Sequence, residues 1–404
     1  MTPTITPIEG GVTAPQGFRA AGLHCGIKSN GRPDLALLVS DVTAAAAGVF
    51  TTNLAQAAPV LVSREHLAAS GGQARAVVTN SGCANACTGP QGLLDAREMT
   101  ALAAGAVGAE AHDVLVASTG VIGVNLKMAA LRAGIPAAAA ALSTDGGADA
   151  ARGIMTTDPF PKATAVAVVT SAGTFRVGGM AKGSGMIEPR LATMLGYLTT
   201  DAVVDPVRLR KVLTEACRFT FNAITVDGEP STNDCVFALA NGASGVVIDD
   251  TLEAALVAGF RAVAAELALG IVRGGEGATK LVAITATGAA TDADAWTAAR
   301  AMANSLLVKT AIHGADPNWG RLVAAAGRSG AAFVLDAARV RIGDLVLFAD
   351  GRPFDERAPQ AAEYLKGTDL AIEVDLGAGG PHTATVWTCD LSKMYVQINA
   401  EYRT

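Results

Sequence analysis

Thr193, directly behind Ala192, closes a run that starts at Lys182 and continues Gly183 to Leu195 as GSGMIEPRLATML. A threonine hydroxyl holds its proton too tightly to be a good nucleophile at neutral pH. If the Ala192-Thr193 bond is cut, the freed α-amine, with an ordinary pKa near 7.7–8.0, can accept that proton without a histidine. The apolar residues after Thr193 read as a buried strand, and an isolated Ala-Thr pair in such a strand is ordinary packing. Thr119-Gly120 is a second candidate, because a hydroxyl and a backbone N–H at a glycine turn can converge on an oxyanion. Lys182 beside Gly183, Ser184 and Gly185 is a third; there a lysine can meet a substrate carboxylate. The spacing is not that of a phosphate loop.

Further polar islands interrupt apolar stretches at Thr156-Thr157-Asp158, Asp227–Asp234 and Glu276–Lys280. Taken singly, each reads as a turn with self-bonding Asx residues. The C-terminal Asn399–Thr404 is short and polar, and such an end ordinarily frays. The five histidines show no metal or triad spacing, and His313 sits in a dense polar turn that reads as a structural or subunit contact.

The elements that must carry these residues follow from periodicity. Strands are expected at Ala74–Thr79, at Val114–Ala117 opening into a turn over 118–123, at Lys280–Thr287 and at Leu370–Val374. Hairpins are expected at 163–178 and 340–348. The apolar stripe Leu252, Leu256, Phe260, Val263, Leu267 predicts a helix over 251–269, capped by Asp250 or Thr251. A second helix starts after Thr291 or Asp292.

At 404 residues the chain can bury a large core, and half of it is hydrophobic with only 4% aromatic and 45 glycines. A net charge of −6 argues against nucleic acid or an anionic membrane as the main partner. The uncharged stretch 42–63 is broken by Thr, Asn, Gln and Pro, so no span is expected there. Neither a signal nor a transit pattern opens the chain, so a cytoplasmic protein is expected. The cysteines at 25, 83, 87, 217, 235 and 389 complete no zinc set; no metal is expected. The fold class expected is mixed α/β.

Taken together, ordered motifs along essentially the whole chain resemble the ornithine acetyltransferase (glutamate N-acetyltransferase) family of arginine biosynthesis. They are 11–18 (GVTAPQGF), 80–89 (NSGCANACTG), 118–120 (STG), 154–158 (IMTTD), 178–187 (GGMAKGSGMI), 192–195 (ATML), 226–234, 276–280 (EGATK), 308–321 and 398–404. Glu188, Arg190, Leu191 and His313 depart from the pattern, and none removes a catalytic group.

The resemblance implies self-cleavage at Ala192-Thr193, giving an α chain 1–192 and a β chain 193–404 that pair as an α2β2 heterotetramer. It implies Thr193 as nucleophile, Thr119 and Gly120 as the oxyanion pair, and substrate contacts from Thr156, Lys182, Thr193, Glu276, Asn399 and Thr404. Thr157 is the alternative to Thr156. The fold implied is an α-β-β-α-type layered sandwich, with a main domain 1–280 and a smaller C-terminal α/β subdomain 281–404. The substrates implied are N-acetylornithine and glutamate, without a cofactor; whether acetyl-CoA also donates is left open. A self-cleaving aminopeptidase or amidase of similar architecture and a non-catalytic sensor of acetylated amino acids are the competing readings.

Overall fold

The computed structural model describes residues 3–188 and 194–401, so Ala192, Thr193 and Thr404 lie outside the described residues. The chain divides into two units. The first holds residues up to 222 together with 230–271; the second holds 223–229 and the chain from 272.

The first unit is strand-rich: β1 (Thr4–Ile8), β2 (Phe18–Leu23), β3 (Leu35–Phe50), β4 (Gln73–Cys83), β5 (Val114–Val121), β6 (Lys162–Thr170), β7 (Gly173–Lys182), β8 (Leu195–Thr200) and β9 (Cys235–Ala240). Its helices are α1 (Ala58–Ala69), α2 (Gly89–Val107), α3 (Met128–Ala140), α4 (Gly147–Gly153), α5 (Pro206–Arg218) and α6 (Glu253–Arg273), the last ending two residues into the second unit. The strand order is β1-β6-β7-β8-β9-β3-β4-β5, with β2 also on β3. The sixteen-residue β3 joins two halves: its first part pairs with β2 and β4, its last part with β9.

Side-chain alternation along these strands builds two kinds of core. Leu38, Val77, Leu115 and Ala117 on one half meet Met180, Leu195, Tyr197 and Phe237 on the other, a sheet-on-sheet layer. Tyr197 Oη and Thr79 Oγ1 hydrogen bond across it at 2.8 Å. The alternate residues Leu37, Val78 and Val116 face the helices instead, with Met99 of α2 and Leu131 of α3. On the far side α6 lies so close to β6 and β7 that a Cβ on Gly179 would sit 2.8 Å from Val263. Helix, sheet, sheet, helix is the resulting order, the mixed α/β sandwich expected. Helix α6 is long and apolar enough to cross a membrane by length and composition alone, but its stripe of Leu256, Phe260, Val263 and Leu267 is buried in this core.

The second unit contains β10 (Leu281–Ala289), β11 (Arg339–Ile342), β12 (Leu345–Ala349), β13 (Arg352–Pro353), β14 (Asp369–Asp375) and β15 (His382–Cys389), in the order β13-β12-β11-β14-β10-β15. Around it lie α7 (Asp292–Ala303), α8 (Leu306–His313), α9 (Trp319–Gly327), α10 (Ala358–Tyr364) and α11 (Lys393–Glu401). Its core sets Val282, Ile284, Val340, Ile372 and Val386 of the sheet against Ala298, Ala299 and Met302 of α7.

Two local expectations are corrected. Strand β5 does not stop at Ala117; parallel pairing continues as Asn80↔Ser118, Ser81↔Thr119 and Gly82↔Gly120, because both strands carry residues small enough to keep the ladder. Helix α6 is preceded not by an Asp250 or Thr251 cap but by Asp249, whose Oδ1 accepts the backbone N–H of Thr251 (2.9 Å) and of Leu252 (3.1 Å). Thr291 does cap α7, accepting from Asp294 N at 3.1 Å.

Phe237 is fully buried, with its ring 5.9 Å from that of Phe50 and 6.1 Å from that of Tyr197. Phe237→Ala is expected to destabilise the protein by about 3–5 kcal/mol in denaturant titration; a loss below about 1 kcal/mol would contradict this packing.

Candidate active site

Thr119 continues the alternation Leu115, Ala117, and so belongs to the face of β5 that meets Leu195 and Tyr197. It is only 6% exposed. Gly120 follows with φ 129°, a region closed to other residues, and a Cβ there would lie 2.4 Å from the carbonyl carbon of Gly82. Any side chain at 120 would push β4 and β5 apart, so the pair's backbone geometry depends on this glycine.

Thr156 and Lys182 come together. Lys182 ends β7, and its Nζ lies 3.4 Å from Thr156 Oγ1, a long contact. Of the two adjacent threonines, it is Thr156 that meets the lysine.

Both are hung from Asp158, which sequence reasoning left as a turn residue. Its Oδ1 accepts from Lys162 Nζ at 2.6 Å and from Gly183 N at 2.8 Å, and its Oδ2 accepts from Thr156 N at 3.0 Å. The two charged side chains are 0% and 2% exposed. Burial alone would raise the Asp158 pKa, but the Lys162 and Lys182 charges and the donated hydrogen bonds outweigh it and hold the carboxyl below its ordinary value. The i,i+4 spacing of Asp158 and Lys162 was the available signal, although Pro159 and Pro161 between them hide it from helix-based reasoning.

Asp234 is the other residue the sequence did not single out by itself. The next residue's N–H, that of Cys235, donates to Met194 O at 2.9 Å, and β9 runs parallel to β8 from there. Asp234 thus sits beside the residue that follows Thr193 in the chain. Its Oδ2 is buried with no hydrogen-bond partner among the described residues. Burial pushes its carboxyl well above the usual range, against the pull of Ser231 and Lys182.

In the second unit, Glu276 and Asn399 are brought together: Asn399 Nδ2 donates to Glu276 Oε2 at 2.8 Å and to Tyr395 O at 3.0 Å. Glu276 is 6% exposed. Ser392 Oγ donates to Gly277 O at 2.6 Å, and Tyr395 Oη to Asp227 Oδ2 at 3.2 Å, fixing the start of α11 against the 276–280 loop. His313 Nδ1 lies 2.7 Å from Asp390 Oδ2; Asp390 also accepts from the backbone of Thr279 and Lys280, so His313 has a structural role within this unit. Thr193, Ala192 and Thr404 are outside the described residues.

Asp158→Asn removes the anion and leaves Lys162 buried without its counter-charge. Breaking such a pair is expected to cost about 3–5 kcal/mol at pH 7 in denaturant titration. Because the folded-state pKa of Asp158 lies below its unfolded value, its contribution is complete above about pH 3.9 and fades as pH falls through the folded value. The gap between wild type and variant should therefore hold from neutrality down to that point and close only in stronger acid. A gap that closes near pH 6 would refute the assignment.

The ArgJ family's sequence model matches residues 19–404. An "Arginine biosynthesis bifunctional protein ArgJ" from Symbiobacterium thermophilum is 52% identical, covering 98% of this chain and 99% of its own. The protein of the same name from Synechococcus is 50% identical over 98% of each chain. A crystal structure titled as ornithine acetyltransferase complexed with ornithine, from Mycobacterium tuberculosis, is 44% identical. It covers 47% of this chain and all of its own, with a TM-score of 0.43. With a family match across nearly its whole length and relatives at half identity end to end, this chain belongs to the ArgJ family, the acetyltransferases of arginine biosynthesis.

Proposed function

We propose that the chain cuts itself between Ala192 and Thr193 and then transfers the acetyl group of N-acetylornithine to glutamate through an acetyl-Thr193 ester. In the first stage, Thr193 Oγ attacks the Ala192 carbonyl and displaces its own nitrogen, and water hydrolyses the resulting ester. Chains of residues 1–192 and 193–404 result, which stay paired and assemble as α2β2 in the cytoplasm.

In turnover the new α-amine takes the hydroxyl proton, and Oγ attacks the acetyl carbonyl. Thr119 and the Gly120 N–H hold the oxyanion, and ornithine leaves carrying the proton. The amine of glutamate then attacks the ester and restores the hydroxyl, which is ping-pong chemistry. Lys182 with Thr156 receives the substrate carboxylate, Glu276 with Asn399 receives a substrate amine, and Thr404 completes the contacts. The signs of the two charges motivate these roles. The relatives' word "bifunctional" is the reason to test acetyl-CoA as a second acetyl donor.

The observation that carries this reading is the facing of Thr119 and the first residues of β8. By strand alternation Thr119 shares the β5 face of Leu115 and Ala117, which packs in one core with Leu195 and Tyr197 of the strand that begins two residues after Thr193. The reading requires the Thr193 hydroxyl to come within reach of the Thr119–Gly120 pair. The aminopeptidase and sensor readings have no comparable support across the chain's length.

Intact-mass analysis of purified protein should show two fragments that meet at the 192/193 junction. Thr193→Ala should remain one chain of 404 residues without transferase activity. A variant that still transfers acetyl groups would sink the nucleophile. Thr119→Ala should keep the cleaved state's substrate affinity and lose about 2.7–4 kcal/mol of transition-state stabilisation, read as kcat.

A further inference from the structure

We propose that Lys28 is a positioning residue of the substrate site, holding the Thr156 segment in place and adding a second positive charge beside Lys182 for a substrate carboxylate. The proposal rests on the reading of Thr156 and Lys182 as substrate contacts.

Lys28 lies far from either in sequence but reaches the Thr156 segment in space. Its ammonium donates to Met155 O at 2.7 Å and to Pro33 O at 2.6 Å. Met155 is the residue before Thr156, so one hydrogen bond separates the Lys28 charge from the backbone that presents the Thr156 hydroxyl. The other end of the side chain is fixed as well. Lys28 N donates to Asp34 Oδ2 at 2.9 Å, and its Cγ lies 3.0 Å from where a Cβ on Gly82 would stand. Gly82 is the residue paired with Gly120. A single lysine therefore packs against the partner of the oxyanion glycine and grips the residue before Thr156.

The electrostatics give it a role that a neutral brace could not fill. The charged groups that act on it are Asp34, Asp158, Lys182 and Arg32. Asp34 accepts three backbone N–H groups of the 25–28 loop, and Asp158 is engaged by Lys162. These two carboxylates are therefore already bound by other donors, and the Lys28 ammonium is held at the Thr156 segment by carbonyl oxygens alone. Burial, helped by the neighbouring Lys182 and Arg32, lowers the Lys28 pKa to about 8, although Asp34 and Asp158 oppose that. An ammonium that two backbone carbonyls hold keeps one of its three N–H donors for a third acceptor.

Binding of L-glutamate to the purified enzyme, measured by calorimetry between pH 6.5 and 9 with no acetyl donor present, tests this without turnover. At pH 7, Lys28→Met, which keeps the aliphatic stem, should weaken binding about ten-fold, while Lys28→Arg should stay within about three-fold of wild type. Wild-type affinity should fall as pH rises through about 8, where Lys28 loses its proton. Lys28→Arg should fall less over the same range, because a guanidinium keeps its charge there and only the Thr193 α-amine, common to both proteins, still titrates. This comparison stands even if Lys28→Met fails to fold. Wild-type affinity for Lys28→Met, a Lys28→Arg as weak as Lys28→Met, or the same pH fall in Lys28→Arg as in wild type would each overturn the proposal. Wild-type enzyme that binds no glutamate at all would instead overturn the substrate reading beneath it.

Discussion

One buried carboxylate sets the geometry on which the first unit's polar residues depend. Asp158 is surrounded by protein on all sides and still carries three donors: an ammonium, the N–H of Gly183 and the N–H of Thr156. Removing a charge from water costs several kcal/mol, and it is tolerable only where geometry and hydrogen bonding are complete. Here they are complete, and completeness has a structural effect. The Thr156 segment and the loop after β7 cannot move independently, because both are held by the same two oxygens.

The surrounding architecture is built for close approach. Alanine and glycine let strands and helices press together where larger residues would separate them, as at Gly179 under Val263 and at Gly120 over Gly82. Large side chains fill the space between the sheets, where Phe237, Tyr197 and Met180 occupy the layer.

Much of this was legible in the sequence because it is local. The hairpin β6–β7, the stripe of α6 and the Thr291 cap each follow from residues within a few positions of one another. The extent of β5 was not legible, since small residues after Ala117 resemble a turn until the partner strand is known to continue beside them. The Asp249 cap was missed for a similar reason: three hydroxyl or carboxyl residues in succession leave the choice to backbone geometry. Whole-chain motif order carried the family, and family alone carried the roles of Glu276 and Asn399. That these two touch is new information from the structure. Asp158 and Lys28 escaped because their decisive partners, Gly183 and Met155, lie 25 and 127 residues away. No periodicity reports such pairs.

The ladder between β7 and β8 runs through six residue pairs, from Val177↔Thr200 to Lys182↔Leu195, and β8 is clasped on its other side by β9. If the connection over 183–194 is severed, these hydrogen bonds persist but the molecularity of unfolding changes. An unbroken polypeptide melts at a temperature indifferent to its dilution. A nicked one must release two separate molecules, so its midpoint shifts with concentration. Scission would thus tie this enzyme's persistence to how much of it the cell maintains.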